Sequence, residues 1–220
     1  MSHTINLEVL LVIFTLKDEA LQVWLQPCHE AHAEGQWALP AKPFEGGCSL
    51  EQTAYQCLET CLGLREAYLE QLYTYGEPDR HPHDCLISVA YFALIAMDAI
   101  ARLAPTTPTG AWFPLTRLPP LILDHASILA YALRRLRYKL EYTAVGFELL
   151  PELFTLSEIQ HTYELILGER LDKRNFRRRL LQAGVIEPTP HVRSGEGRPA
   201  RLYRYRPDAI AEIKARRLFP

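Results

Sequence analysis

Residues 171–181 have the sequence Leu-Asp-Lys-Arg-Asn-Phe-Arg-Arg-Arg-Leu-Leu, and this stretch decides how the C-terminal part of the chain folds. At about 100° per residue, a helix over these positions places Phe176 and Leu180 on one side. The opposite side carries the side chains that suit base edges: Arg174, Asn175 and Arg178. A recognition helix in a DNA major groove needs this division between a buried face and a polar face.

The remaining cations of the stretch suit contacts with phosphates. Lys173 and Arg177 lie nearer to the buried edge of the predicted helix, and Arg179 lies on its flank. Arg and Asn side chains bind guanine and adenine edges through paired hydrogen bonds, whereas neighbouring cations neutralise phosphate charge. The stretch therefore predicts binding to double-stranded DNA. The alternative is a basic helix whose charged face is only solvated.

The flanking sequence completes a winged helix-turn-helix pattern. A second helical pattern covers residues 157–167, and residues 186–206 form a predicted hairpin with its flexible tip at 194–197. Three cations of this wing are expected to contact the phosphate backbone or the minor groove: Arg193, Arg198 and Arg201. RNA is the less favoured partner, because Tyr203 and Tyr205 alternate along a strand and are expected to fill the core.

Composition and charge divide the chain into two parts. The chain of 220 residues is 48% hydrophobic and 23% charged, which excludes wholesale disorder. Residues 1–150 carry 10 Lys and Arg against 17 Asp and Glu, and residues 151–220 carry 14 against 9. An acidic body with a basic C-terminal part indicates two functions, one of them involving nucleic acid. The longest apolar run and the N-terminus predict neither a membrane span nor a signal peptide, so we expect a cytoplasmic protein without disulfides.

The acidic part has the pattern of an α+β domain. Two apolar runs, residues 7–16 and 21–26, flank Lys17-Asp18-Glu19 and predict a hairpin. Ser49, with Gln52 three residues later, predicts a helix that begins with a capping box and ends at Gly63. A short strand is predicted over Trp37-Ala38-Leu39-Pro40, and two more strands are predicted over 68–75 and 86–97. Trp112-Phe113-Pro114-Leu115 is expected to lead the chain out of the sheet.

The spacing around the Ser49 helix resembles the Nudix box of diphosphate hydrolases. The matching positions are Leu39, Pro40, Leu58, Gly63 and Leu64. The motif's loop glycine falls on Lys42, and its arginine and carboxylates fall on Cys48, Gln56, Cys57, Thr60 and Cys61. Mg²⁺ requires oxygen ligands, and thiols do not replace them. We therefore expect no catalytic residue, no metal and no cofactor, although a Nudix-class hydrolase acting on a nucleoside diphosphate remains an alternative.

A third helix connects the two parts. Asp124 is the predicted N-cap of a helix that runs to about Tyr142, with an apolar stripe of Leu129, Leu133, Leu136 and Leu140. In a dimer this helix would set the spacing of the two DNA-binding domains; the alternative is that its leucines pack within their own chain. We place the domains at 1–150, which includes the connector helix at about 124–142, and 151–220.

Several stretches together resemble the Nudix-related transcriptional regulators of the NrtR family. They include Leu133-Arg134-Arg135-Leu136-Arg137-Tyr138, Leu150-Pro151-Glu152, the basic stretch 171–178 and Gly197-Arg198-Pro199-Ala200-Arg201-Leu202-Tyr203. The resemblance implies an N-terminal Nudix-like α/β/α sandwich with a mixed sheet, a connector helix and a C-terminal winged helix-turn-helix. It further implies a homodimeric repressor of NAD metabolism genes that ADP-ribose releases from operator DNA. Some relatives sense sugars instead.

A phosphate-bearing effector requires cations, and few precede the connector helix. Lys42 lies in the Nudix-like loop and Arg80 in the turn between two predicted strands. We expect both side chains to contact the ligand. For Arg80, a surface ion pair with Asp79 is the alternative.

Overall fold

The computed structural model describes residues 5–28, 33, 35–82, 85–101, 110–194, 199–206 and 209. Two compact units divide the chain, one of residues 1–95 and 99–133, and the other of residues 96–98 and 134–220. Our predicted boundary near residue 150 stays a prediction. Within the described ranges, no helix is both long enough and apolar enough to cross a bilayer.

The first unit is built on a mixed sheet. Its strands are β1 (Ile5–Lys17), β2 (Ala20–Pro27), β3 (Trp37–Ala38), β4 (Ala41–Pro43), β5 (Tyr68–Tyr75), β6 (Cys85–Ile95) and β7 (Ala111–Pro114). The main order is β3-β2-β1-β6-β5; β4 also pairs with β1, and β7 with β2. β1 runs parallel to β6 and antiparallel to β2, which confirms both the mixed sheet and the predicted N-terminal hairpin.

Helix α1 (Leu50–Leu62) covers one face of this sheet. Its capping box between Ser49 and Gln52 is confirmed, and Gly63 ends it in the left-handed conformation. Ala54, Cys57 and Leu58 pack with the odd-numbered side chains of β1 and β6. The even-numbered side chains of both strands face the other side of the sheet.

A short helix, α2 (Met97–Ala101), and the long helix α3 (His125–Tyr142) follow the sheet strands. Leu129, Leu136 and Leu140 are buried within the single chain, and Leu133 is half-buried. This is the packing that we gave as the alternative for the leucine stripe, and it leaves the predicted role in dimer spacing untested.

The second unit contains a 3₁₀ helix (Val145–Leu149), α4 (Leu156–Leu167), α5 (Lys173–Gln182), β8 (Ile186–Arg193) and β9 (Ala200–Tyr205). β8 and β9 pair antiparallel, as predicted for the wing. Tyr163, which is fully buried, contacts the ring of Phe176 with the centroids 5.5 Å apart. This aromatic contact joins α4 to α5.

Three details of the sequence prediction were wrong. The last predicted strand extends to Met97, but β6 ends at Ile95 and the chain turns into a helix. Trp112 does not lead the chain out of the sheet, because it pairs with Trp24 in the ladder of β7 and β2. The predicted strand through Pro40 stops at Ala38, since Leu39 donates its N–H to a side chain instead of to a ladder.

Candidate nucleic-acid interface and ligand cavity

Helix α5 presents the basic face that the sequence predicts. Phe176 is 3% exposed and Leu180 is 1% exposed, so one side of the helix is fixed in the core. The polar side has exposed side chains at Lys173, Arg174, Asn175 and Arg178, with half-buried Arg177 and Arg179 beside them. Among the described residues, these six therefore form one continuous surface on a helix that cannot turn without exposing its aromatic anchor.

Side chains of α4 and α5 fix the turn that aims this surface. The Glu164 carboxylate accepts hydrogen bonds from the Leu171 N–H at 2.9 Å and from Gln160 Nε2 at 3.0 Å. These bonds hold the pKa of Glu164 below its ordinary value, so the carboxylate is charged at neutral pH. The Asp172 side chain then caps α5 by accepting from the Asn175 N–H at 2.8 Å.

Two arginines of α5 that are predicted DNA contacts donate hydrogen bonds to other side chains of the protein. Arg178 donates to Asn175 Oδ1 on the same face, which orients both side chains together. Arg177 Nη2 donates to Ser157 Oγ at 2.8 Å, at the start of α4. The first bond leaves guanidinium and amide donors available to a base, whereas the second places Arg177 toward the edge, where phosphate contacts are expected.

The wing brings further cations to the same unit. The Arg193 guanidinium forms an ion pair with the Glu158 carboxylate and donates to the Leu153 carbonyl at 3.1 Å. Arg201 is exposed on β9, opposite Val192. Arg198, the third predicted cation of the wing, lies outside the described residues.

A cavity of about 300 Å³ lies where the Nudix-like loop meets α1. Its lining residues are Lys42, Pro43, Glu45, Gly46, Gly47, Cys48, Thr53 and Gln56. Gly46 and Gly47 both adopt left-handed backbone conformations, with φ of +81° and +76°. Glycine adopts this conformation without steric cost, and at both positions it lets the loop backbone border the cavity closely. Lys42 is the cation that the structure shows in this lining.

The structure does not provide α1 with a magnesium site. Cys57 and Cys61 are 2% and 6% exposed and point into the core. The hydrogen bond with Cys61, together with burial, raises the pKa of the Cys57 thiol, so it is uncharged at neutral pH. No group of three His, Cys, Asp or Glu side chains within the described ranges is arranged to hold a metal ion. The donors at the motif positions therefore do not fit Mg²⁺.

Arg80 lies in a buried polar network rather than in an open cavity. Its Nε and Nη2 donate to the Asp124 carboxylate at 3.0 and 2.9 Å, and its Nη1 donates to Ser88 Oγ at 2.7 Å. The ion pair is thus with Asp124 and not, as our alternative had it, with Asp79. The side chain is 3% exposed, so a ligand contact would require these bonds to open. Direct contact stays a prediction.

The network continues to both sides of Arg80. The Ser88 hydroxyl donates to the Glu8 carboxylate, whose pKa is raised by burial against the opposing effects of Ser88 and Arg80. Next to Asp124, His125 Nδ1 accepts the Leu39 N–H at 3.0 Å. Burial lowers the pKa of His125 to about 4, so the ring is neutral and its Nδ1 remains an acceptor.

Sequence reasoning missed several of these residues for different reasons. Thr155 and Glu158 form a capping box at the start of α4, a motif that the sequence contains at its expected spacing. By contrast, the contacts of Asp124 and His125 join residues 44 and 86 positions apart. No local sequence pattern predicts contacts between residues so far apart in the chain.

Comparisons with known proteins agree with this architecture. Residues 146–205 match the family model of the NrtR DNA-binding winged helix domain. The crystal structure of Shewanella oneidensis NrtR complexed with a 27mer DNA superposes with a TM-score of 0.82 at 34% identity, covering 93% of this chain and 95% of that one. The NUDIX domain of the same protein complexed with ADP ribose gives 0.51 at 28% identity, covering 61% and 90%.

A curated relative shows the same relationship along the sequence. The ADPR responsive transcriptional repressor NtrR of Acinetobacter baylyi is 36% identical over 199 residues, which are 89% of this chain and 80% of the relative. Identity at this level over most of both sequences covers the Nudix-like unit as well as the winged helix. The chain therefore belongs to the NrtR family of Nudix-related transcriptional regulators.

Proposed function

We propose that the protein is a transcriptional repressor that binds operator DNA through α5 and the wing and leaves it when ADP-ribose binds the Nudix-like unit. The observation that carries the proposal is the exposed basic face of α5 on a helix anchored by Phe176. The Shewanella relative with DNA and the Acinetobacter repressor responsive to ADPR support the two halves of this statement. Regulation of NAD metabolism genes in the cytoplasm is part of the same proposal.

The DNA contacts divide into two classes. We assign base edges to Arg174, Asn175 and Arg178, which are the exposed side chains opposite the buried face. Phosphates are assigned to the remaining cations of the helix and wing: Lys173, Arg177, Arg179, Arg193, Arg198 and Arg201. Because one winged helix buries modest surface on DNA, we further propose a homodimer that contacts two half-sites about one helical turn, or a multiple of it, apart.

The cavity beside Lys42 is the proposed effector site. The half-buried residue Lys42 and a glycine loop suit the charged diphosphate of ADP-ribose, whereas a neutral sugar does not need the cation. Calorimetry with ADP-ribose, NAD and pentoses tests the effector class. Loss of ADP-ribose affinity in Lys42→Ala supports this cavity, and unchanged affinity in that variant places the site elsewhere.

We propose that the Nudix-like unit has no hydrolase activity. The buried thiols of Cys57 and Cys61 occupy positions where the motif has carboxylates, and they do not suit the hard cation that such hydrolysis needs. Incubation of the full chain with ADP-ribose and Mg²⁺ should release no AMP. Magnesium-stimulated release at ordinary enzyme rates would establish the alternative, a hydrolase of nucleoside diphosphates.

The test of regulation is a thermodynamic cycle. Operator affinity is measured with and without saturating ADP-ribose, and ADP-ribose affinity is measured with and without saturating operator. Linkage requires the two factors to be equal if both ligands act on one equilibrium. An operator affinity that ADP-ribose leaves unchanged would contradict the proposed function.

A further inference from the structure

The segment before α3 is hydrogen-bonded to the segment before the ligand cavity. The Trp37 N–H donates to the Pro120 carbonyl at 2.9 Å, and the Ile122 N–H donates to the Trp37 carbonyl at 3.0 Å. Two residues after Trp37 and three residues after Ile122, the Leu39 N–H donates to His125 Nδ1. Residues 37–39 and 120–125 therefore behave as one bonded unit.

This bonded unit borders the cavity through the chain itself. Leu39 is 1% exposed and is followed, after Pro40, by the short strand that carries Lys42 and Pro43, which line the cavity. Pro43 is also the ladder partner of Glu8, the carboxylate that ends the Arg80 network. The two routes, through His125 and through Arg80, thus reach the same short strand from the start of α3.

The backbone directly before α3 is strained. Leu123 has a φ of +47°, a left-handed conformation that non-glycine residues seldom adopt. The turn directs Asp124 toward Arg80 and His125 toward Leu39, and both residues are held by these bonds. Such strain persists where surrounding contacts fix it, and it favours a second arrangement once those contacts loosen.

We infer that His125 is a positioning residue that couples the ligand cavity to helix α3, acting through the Leu39 N–H and supported by the Arg80–Asp124 ion pair. A ligand that moves the strand carrying Lys42 would change the Leu39–His125 bond and thereby the first turn of α3. The bond ends on the first residue of α3, and α3 leads along the chain into the unit that contains the winged helix. This inference rests on the proposed function.

Three variants of His125 test it in the full-length chain. His125→Asn keeps an acceptor close to the position of Nδ1 and serves as the matched control. His125→Gln carries its side-chain oxygen further out, toward the position of Nε2, and His125→Leu removes the acceptor. The quantity measured is the factor by which saturating ADP-ribose weakens operator binding, together with the operator affinity in the absence of ADP-ribose.

We expect ADP-ribose to weaken operator binding of His125→Asn by the wild-type factor, within about twofold. In His125→Leu and His125→Gln this factor should be smaller than in wild type by at least about fivefold. Operator affinity without ADP-ribose should stay unchanged in all three variants, because His125 is not part of the DNA-binding surface. Should His125→Leu not fold, the more conservative His125→Gln carries the test. Hydrogen exchange supplies a direct readout. In wild type, ADP-ribose should change the exchange rates of the Leu39 and Ile128 amides together. In His125→Gln, the change at one amide should no longer accompany the change at the other.

The outcomes separate the two proposals. If ADP-ribose does not change the operator affinity of the wild-type protein, the proposed function is overturned and the inference with it. If ADP-ribose weakens operator binding of wild type and of His125→Gln by the same factor, the inference alone is overturned. Equal loss in His125→Asn and His125→Gln also overturns it, because then the acceptor at Nδ1 is not what matters.

Discussion

Helices α1 and α5 are built alike but place their polar chemistry differently. Each begins at a side-chain cap, Ser49 or Asp172, and each buries one face of the helix. The exposed face of α5 carries a row of cations, whereas two motif positions of α1, Cys57 and Cys61, hold thiols turned into the core. A shared amphipathic pattern therefore shows where a helix packs, and only the solvent face shows what it can bind.

The largest effect is expected when a carboxylate replaces a buried thiol of α1. Cys57→Glu places a charged group at a position that is 2% exposed, and we expect it to lower the free energy of unfolding by about 4 kcal/mol. Thr60→Glu is the matched control, because Thr60 is another motif position but is exposed. Urea unfolding measures both variants. A Cys57→Glu protein as stable as Thr60→Glu would contradict the burial of the thiol face.

Buried polar groups of the first unit should also make its stability depend on pH. In the folded chain the pKa of His125 is lowered to about 4 from an ordinary 6.5, mainly by burial and also by Arg80, against Asp124. As the pH falls, the unfolded chain takes up the proton at a higher pH than the folded chain does. The contribution of His125 to the free energy of unfolding is therefore complete above pH 6.5 and is lost as the pH falls toward 4. The difference between the two pKa values corresponds to roughly 3 kcal/mol.

Urea unfolding of wild type and His125→Asn across pH 4–7 measures this contribution. Glu8 acts in the opposite direction, since its folded pKa is raised, but it is present in both proteins and cancels in their difference. The difference in unfolding free energy should therefore change with pH in the window from 6.5 to 4. A constant difference would show that His125 is not held neutral.

Substitutions on the exposed face of α5 should lower the affinity for DNA without lowering the stability of the protein. Arg174→Ala and Arg178→Ala are expected to cost roughly 1–3 kcal/mol of operator binding and to relax sequence preference. Lys173→Ala should weaken all sequences alike and reduce the salt slope by about one. Binding titrations over a salt series separate these results. Identical behaviour of the three variants would contradict the division between base and phosphate contacts.

The sequence predicted the features that depend on contacts between residues close together in the chain, and it missed those that depend on contacts between distant residues. The cap at Ser49, the end at Gly63 and the buried pair Phe176 and Leu180 depend on neighbours within one or two helical turns, and all are confirmed. The Leu39–His125 bond joins distant segments, and its two residues carry no pattern that pairs them. Arg80 shows the limit most clearly: its charge suggested a ligand, but its burial and its partner Asp124 depend on the tertiary fold.

The smallest effect concerns the ion pair between Glu158 and the wing cation Arg193. Glu158 accepts the Thr155 N–H at 2.7 Å in the capping box of α4 and also pairs with Arg193, with side chains 38% and 44% exposed. Glu158→Gln keeps an oxygen for the cap but removes the charge. We expect less than about 1 kcal/mol of stability to be lost, since exposed ion pairs and helix-terminal charges each contribute little.

The same change should free the Arg193 guanidinium for a phosphate. Binding to all DNA sequences should then tighten by a few fold, and the salt slope should become steeper by up to about one. Arg193→Ala is the opposing control, because it removes the cation and should weaken binding and flatten the slope. If Glu158→Gln leaves the slope where it is while Arg193→Ala lowers it, Arg193 contacts phosphate without leaving Glu158, and the ion pair orients the cation rather than competing for it.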